Sequence, residues 1–278
     1  MATTTSLKDR YQQVQSRIAD AAARGGRSAK DIILVAVTKH ATPDQVRELV
    51  NLGHQDFGEN RVQQLVQRAA MMDEYLHRRR ALPGVTAEHE ASLAGVGKAP
   101  APPDSIRWHM IGRLQRNKAK KAIEYARLIH SVDSLRLAEE IQTIALRRDL
   151  DHPIDILLQV NCSGETTKQG VALAAAKHVV DQIETMVQLR LRGLMTMAPL
   201  DATGDDLRDC FKRTKSCFDD IVERGVADGR FNLLSMGMSN DFEIAIEEGA
   251  NIVRVGTAIF GAPEAGANGD DPVDHDED

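Results

Sequence analysis

The 278 residues carry 42% hydrophobic side chains, enough for a sizeable core in one large domain or two small ones, and a formal net charge of −6. Seven of the 41 acidic residues lie in the tail from Glu264 to Asp278, so the remaining 34 nearly balance the 35 Lys and Arg and no charge excess argues for nucleic acid or membrane as the main partner. No run approaches the roughly 20 apolar residues of a membrane span.

The N-terminus MATTTSLKDRYQQ has no apolar leader core, which makes the cytoplasm the expected location. Cys162, Cys210 and Cys217 are odd in number and lack CxxC spacing, so neither a disulfide framework nor a zinc site is expected. The latter two read as helix-facing thiols.

Along the chain, Leu7, Tyr11, Val14 and Ile18 fall at helical spacing and predict a helix before the first strand. Eight short apolar or β-branched runs follow: 32–37, 54–58, 106–112, 127–133, 154–161, 189–198, 231–237 and 251–257. Between them stand amphipathic segments such as PDQVRELVNLG, SLRLAEEIQTIALRRD and DFEIAIEEG. Gly53 and Gly249 each fall where a helix should stop, at the left-handed position before the next strand. Eight alternating units predict a parallel (β/α)₈ barrel of the TIM type over residues 1–263, with an open doubly wound sheet as the alternative.

Residues 78–104 are rich in Ala, Gly and Pro and read as a mobile insertion on the barrel's bottom face; the acidic tail 264–278 is expected to be disordered. The basic run RLQRNKAKK, 113–121, reads as a solvated helix start in preference to a phosphate or RNA contact.

In such a barrel the strand ends converge at the top, where sites form from the βα loops. Lys39 follows the first strand, Glu59 and Asn60 the second, and Gly112 the third. Ser131 and Asp133 end the fourth, Asn161 the fifth and Met197 the sixth. Ser235 and Ser239 flank the seventh strand's loop, and Arg254, Gly256 and Thr257 close the eighth. Taken alone, Lys39 is a solvated charge at an element boundary or, at a barrel mouth, an amine whose pKa burial would lower. SMGMS and GTAIFG carry hydroxyls and close-approach glycines where barrels commonly bind phosphate, although Gly-Thr after a strand is commonly only a turn.

The ordered motifs VAVTKHATPDQV, FGENRVQQL, WHMIGRLQRNK, LLQVNCSGETTKQG, LRGLMTMAP and LSMGMSNDFEIAIEEGANIVRVGTAIFG resemble the pyridoxal 5′-phosphate homeostasis protein family, related to the barrel domain of alanine racemase, over roughly residues 6–261. The resemblance implies that Lys39 forms an internal aldimine with the cofactor's aldehyde and that Asn60 lines the ring. It implies further that Ser235, Ser239, Gly256 and Thr257 grip the phosphate and that Arg254 faces the pyridine nitrogen. The insertion and the tail depart from the family pattern without touching a motif.

An arginine cannot leave the ring nitrogen protonated as an aspartate partner would, which disfavours carbanion chemistry. Racemisation needs a second acid or base, a role commonly filled by a tyrosine in the alanine racemase relatives. Tyr11, Tyr75 and Tyr125 all fall in predicted helices. The reading is therefore a non-catalytic protein that holds pyridoxal 5′-phosphate and hands it to PLP-dependent apoenzymes. Alternatives are an amino-acid racemase using His40, His109 or Cys162 as second base, and a cofactor-free aldolase acting through Lys39.

Overall fold

The computed structural model describes residues 5–81, 103, 105–148, 150, 152–165, 168–199 and 202–262. Its elements are α1 (Leu7–Arg24), β1 (Ile33–Val37), α2 (Pro43–Asn51), β2 (Asp56–Glu59), α3 (Val62–Ala81) and β3 (Arg107–Met110). They continue with α4 (Ala119–Tyr125), β4 (Ala126–Val132), α5 (Leu135–Arg147), β5 (Ile154–Asn161), β6 (Val171–Ala172) and α6 (Leu173–Ile183). The chain ends with β7 (Leu189–Met195), α7 (Gly204–Val222), β8 (Leu233–Ser235), α8 (Phe242–Glu247), β9 (Ile252–Val255) and α9 (Thr257–Phe260).

Pairing runs β1–β2–β3–β4–β5–β7–β8–β9 and back to β1, parallel throughout, so eight strands close a barrel. All eight fall on the runs expected from the sequence. The two-residue β6, which pairs with β5 alone, is an addition the sequence did not announce.

Strand alternation sorts the core into two layers. Leu34 and Ala36 of β1 join Phe57, Met110, Ile129, Leu158, Leu194 and Val253 beneath the helices. Val35, Leu128, Leu157, Met195 and Ile252 form a separate apolar cluster inside the barrel. Burial on both faces is why the strands read as nearly continuous apolar runs.

Helix ends follow local chemistry. At α2, Thr42 Oγ1 accepts the Gln45 N–H at 3.3 Å, Gln45 Oε1 accepts the Thr42 N–H at 2.9 Å, and Pro43 occupies the first turn. Gly53 (φ 90°) and Gly249 (φ 104°) then stop α2 and α8. His54 N–H reaches Leu49 O at 3.1 Å and Ala250 N–H reaches Ala245 O at 2.8 Å, the six-to-one bonds of a Schellman closure.

Helix α1 buries Leu7, Tyr11, Val14 and Ile18 against the barrel's outer layer, the expected residues; full burial of such an aliphatic side chain contributes about 1.5–3 kcal/mol. Arg17 pairs with Glu243 at 2.7 Å, and Arg27 donates to the carbonyls of Ile246, Gly249 and Ala250 at the end of α8.

One boundary differs from expectation. Arg78–Ala81, assigned to the insertion, complete α3: Arg78 pairs with Glu74 one turn back and Arg79 lies 5.7 Å over the Tyr75 ring. The rest of the insertion, 82–104 apart from Pro103, and the acidic tail lie outside the described residues.

Candidate active site at the barrel mouth

Lys39 lies two residues past β1, on the inward face shared by Val35 and Val37, and its side chain is exposed at the mouth. Its neighbours are clamped. Thr38 N–H continues the ladder to Gly58 O at 3.0 Å, and Thr38 Oγ1 donates to Glu59 Oε1 at 2.5 Å. Arg68 Nε meets the same carboxylate oxygen at 2.6 Å while its Nη2 donates to Ala41 O at 2.7 Å. Glu59 and Arg68 therefore hold the backbone on both sides of Lys39. Burial pushes the Glu59 carboxyl up, against the opposing pull of Thr38 and Arg68.

Asn60 follows, half-buried, where the backbones after β2 and β3 nearly touch. A Cβ on Gly112 would lie 2.2 Å from Asn60 O, so only glycine passes there.

The ends of β8 and β9 bring the remaining expected residues together. Ser239 Oγ accepts the N–H groups of Gly256 at 3.2 Å and Ala258 at 3.5 Å, and Thr257 stands exposed at the start of α9. A Cβ on Gly256 would meet Val37 O at 3.2 Å, so the β1 and β9 ends approach closely. Arg254 is buried; it donates to Ser235 Oγ at 2.5 Å through Nη1 and to Thr196 O at 2.9 Å through Nη2. Burial lowers its pKa to about 10, with Asp241 opposing, which leaves it a cation at neutral pH. Ser235 Oγ also lies 3.0 Å from His130 Nδ1.

Other top-face candidates serve local structure. Asn161 Oδ1 accepts from the backbones of Ser163 and Gly164 at 3.1 Å each, folding its own loop. Cys162 is buried, its thiol directed at Met197 O at 3.6 Å, and burial pushes its pKa up to about 11. His40 is exposed in the turn after Lys39, whereas His109 is buried inside β3 between Asp56 and His130. The tyrosines lie in α1, α3 and α4; Tyr11 bonds His54 at 3.1 Å and Tyr75 donates to Asn51 at 2.8 Å. Arg113, Arg116, Lys120 and Lys121 are exposed around the start of α4, in keeping with a solvated helix start. Among the described residues there is no cluster of metal-ligating side chains and no helix long and apolar enough to cross a membrane.

Thr38, Arg68, Asp56 and His130 are site-supporting residues that the sequence reading did not single out. Asp56 and His130 carry one sequence signal, parity: like His109, they are polar at inward positions of otherwise apolar strands.

The family model described as alanine racemase, N-terminal domain, matches residues 12–264. The pyridoxal phosphate homeostasis protein of Aquifex aeolicus is 36% identical over 91% of this chain and 96% of its own. That of Escherichia coli K12 is 32% identical, covering 90% and 94%. The chain belongs to this family. Among solved structures, PipY of Synechococcus elongatus with PLP bound is similar at TM-score 0.66 and 32% identity, over 88% of this chain and 100% of that one. A protein described as unknown from Bifidobacterium adolescentis gives TM-score 0.76 and 34% identity, over 91% and 94%. Alanine racemase of Corynebacterium glutamicum, 13% identical at TM-score 0.58, shares the fold; this chain covers 91% of itself and 62% of that enzyme.

Proposed function

We propose that the chain binds pyridoxal 5′-phosphate in the barrel mouth and holds it for transfer to PLP-dependent apoenzymes of the cytoplasm, without sustained turnover of amino acids. The observation that carries this reading is the convergence, at the ends of β8 and β9, of backbone N–H groups and hydroxyls with a buried arginine, next to the strand that presents Lys39. Ser239 Oγ occupies the focus of the Gly256 and Ala258 N–H groups, and Thr257 adds a hydroxyl; together they suit an anion. The cofactor named for PipY and for the curated relatives supports the same assignment.

When bound, the cofactor supplies an aldehyde that a primary amine captures and a ring that withdraws electrons from what is attached to it. In this reading Lys39 Nζ is the capturing amine, on a stretch of backbone that Thr38, Glu59 and Arg68 hold. Asn60 lies beside the ring. Ser235 sits beneath the phosphate group of residues and orients Arg254, which presents N–H donors to the ring nitrogen. A guanidinium donates without releasing its proton, so it is a weaker aid to carbanion formation than an acid would be.

The non-catalytic half rests on two of the three candidate second bases being committed elsewhere, which leaves a racemase only His40, exposed in the turn after Lys39. Inverting an α-carbon requires positioned proton transfer on both faces, a contribution of about 10² to 10⁴ in rate for each group. Cys162 is held in its thiol form and His109 is engaged below the mouth. Incubation of the loaded protein with L-alanine in deuterated water tests this. Exchange without inversion fits a single base, whereas efficient inversion would make the protein a racemase. Recovery of activity by a PLP-dependent apoenzyme mixed with the loaded protein tests the transfer.

A further inference from the structure

Five buried polar side chains cross the barrel interior from floor to mouth, and the function proposed above uses only the last two. Asp56 opens β2 at the floor, where Arg107 grips its carboxylate through Nε at 2.7 Å and Nη2 at 2.6 Å. His109 Nε2 lies 3.1 Å from Asp56 Oδ1, and His109 Nδ1 lies 2.9 Å from His130 Nε2. His130 Nδ1 is 3.0 Å from Ser235 Oγ, which is 2.5 Å from Arg254 Nη1. None of the five is more than 9% exposed.

Donor and acceptor chemistry fixes the two ends of the chain. A guanidinium has no acceptor, so Ser235 accepts from Arg254; an ionised carboxylate has no donor, so His109 Nε2 carries the proton facing Asp56. Asp56 is ionised because, although burial alone would raise its pKa, the bonds from Arg107 and His109 outweigh burial and hold it well below the usual carboxylate range. His130 is kept neutral: burial pushes its pKa well below the ordinary value, and the Arg254 guanidinium acts in the same direction. With its one proton on the Nε2 that faces Asp56, His109 leaves Nδ1 free to accept. His109 Nδ1 therefore accepts from His130 Nε2–H, and His130 Nδ1 accepts the Ser235 hydroxyl. Both rings are the Nε2–H tautomer, and every donor in the chain points to the floor.

We propose that Asp56, His109 and His130 are positioning residues for the cofactor site: they turn the Ser235 hydroxyl toward the floor, leaving its oxygen to hold Arg254 in the pose that faces the mouth. This rests on the reading that Arg254 meets the cofactor. The apolar cluster of Val35, Leu128, Leu157, Met195 and Ile252 surrounds the barrel interior, and in such a medium a bond left unmade is costly, so a change at one end is carried along the chain.

Histidine tautomers in the ¹⁵N-labelled protein, read from long-range ¹H–¹⁵N spectra, test this without any cofactor. In the wild type both rings are expected as Nε2–H with exchange-protected protons; His130 as Nδ1–H would overturn the proposal. Asp56→Leu removes the acceptor for His109 Nε2–H, so both rings are expected to switch to Nδ1–H, while a switch confined to His109 would show that nothing is transmitted. Should that variant not fold, Ser235→Ala serves. Saturating pyridoxal 5′-phosphate is expected to move the His130 ring signals in the wild type and not in Ser235→Ala; unmoved signals in a visibly loaded wild type would also refute the coupling. A wild type that never develops the visible cofactor band would instead sink the proposed function, and the tautomers of the free protein would still judge the chain.

Discussion

Acidification from about pH 7 to about pH 5 is expected to destabilise the barrel through histidines that it keeps neutral. His54 is buried between α1 and β2, where its Nδ1 accepts the Tyr11 hydroxyl at 3.1 Å and its Nε2 donates to Asp56 O at 2.8 Å. Burial lowers its pKa from 6.5 to about 4, against weaker opposing contributions from Asp56. The folded-state value lies below the unfolded one, so the unfolded chain takes up the proton first. The contribution to stability is complete above about pH 6.5 and is lost as pH falls from there to about 4. At about pH 5 the loss from His54 alone is about 2 kcal/mol, a large part of a total stability of roughly 5–15 kcal/mol. His130, lowered chiefly by burial, acts in the same direction. Urea unfolding at a series of pH values reads the slope, and His54→Gln, which keeps one acceptor and one donor, should reduce it by about one proton. A stability that is flat over this range, or an unchanged slope in His54→Gln, would refute the reasoning.

Gly112→Ala would place a Cβ 2.2 Å from Asn60 O, so a loss of about 1–3 kcal/mol is expected in denaturant unfolding together with weaker cofactor binding; unchanged stability would show that the two backbones do not approach so closely. Ser239→Ala removes the hydroxyl at the focus of the Gly256 and Ala258 N–H groups, and a loss of about 10- to 100-fold in affinity for pyridoxal 5′-phosphate is expected, with little change for pyridoxal, which lacks the phosphate. Equal losses for both ligands would mean that Ser239 does not read the phosphate. Arg68→Ala releases Glu59 and Ala41 at once and is expected to slow capture of the cofactor by Lys39 while leaving pyridoxal 5′-phosphate retained through its phosphate, as stopped-flow absorbance would show.

The barrel was legible because its chemistry is local. Two-sided burial writes each strand as a short apolar run, and Thr42, Pro43 and Gly53 mark the ends of α2 without reference to the rest of the chain. What escaped was either very short or set by tertiary contacts. The two residues of β6 carry no periodicity, and Arg78–Ala81 read as loop by composition although basic residues suit the last turn of a helix. Lys39 and the β8–β9 hydroxyls could be named from strand ends and family motifs. The interior chain could not, because Asp56, His109, His130 and Ser235 meet only when four strands close, and each alone is an isolated polar residue in an apolar run.

The most direct trial of the cofactor assignment is borohydride reduction of the protein loaded with pyridoxal 5′-phosphate, followed by peptide mass spectrometry. A cofactor-sized increment is expected on the peptide containing Lys39 and on no other lysine, and it should be lost in Lys39→Ala, which still retains pyridoxal 5′-phosphate noncovalently through the residues around Ser239 and Gly256. An increment on a different lysine, or a yellow, reducible Lys39→Ala protein, would contradict the assignment of Lys39 as the amine that holds the cofactor.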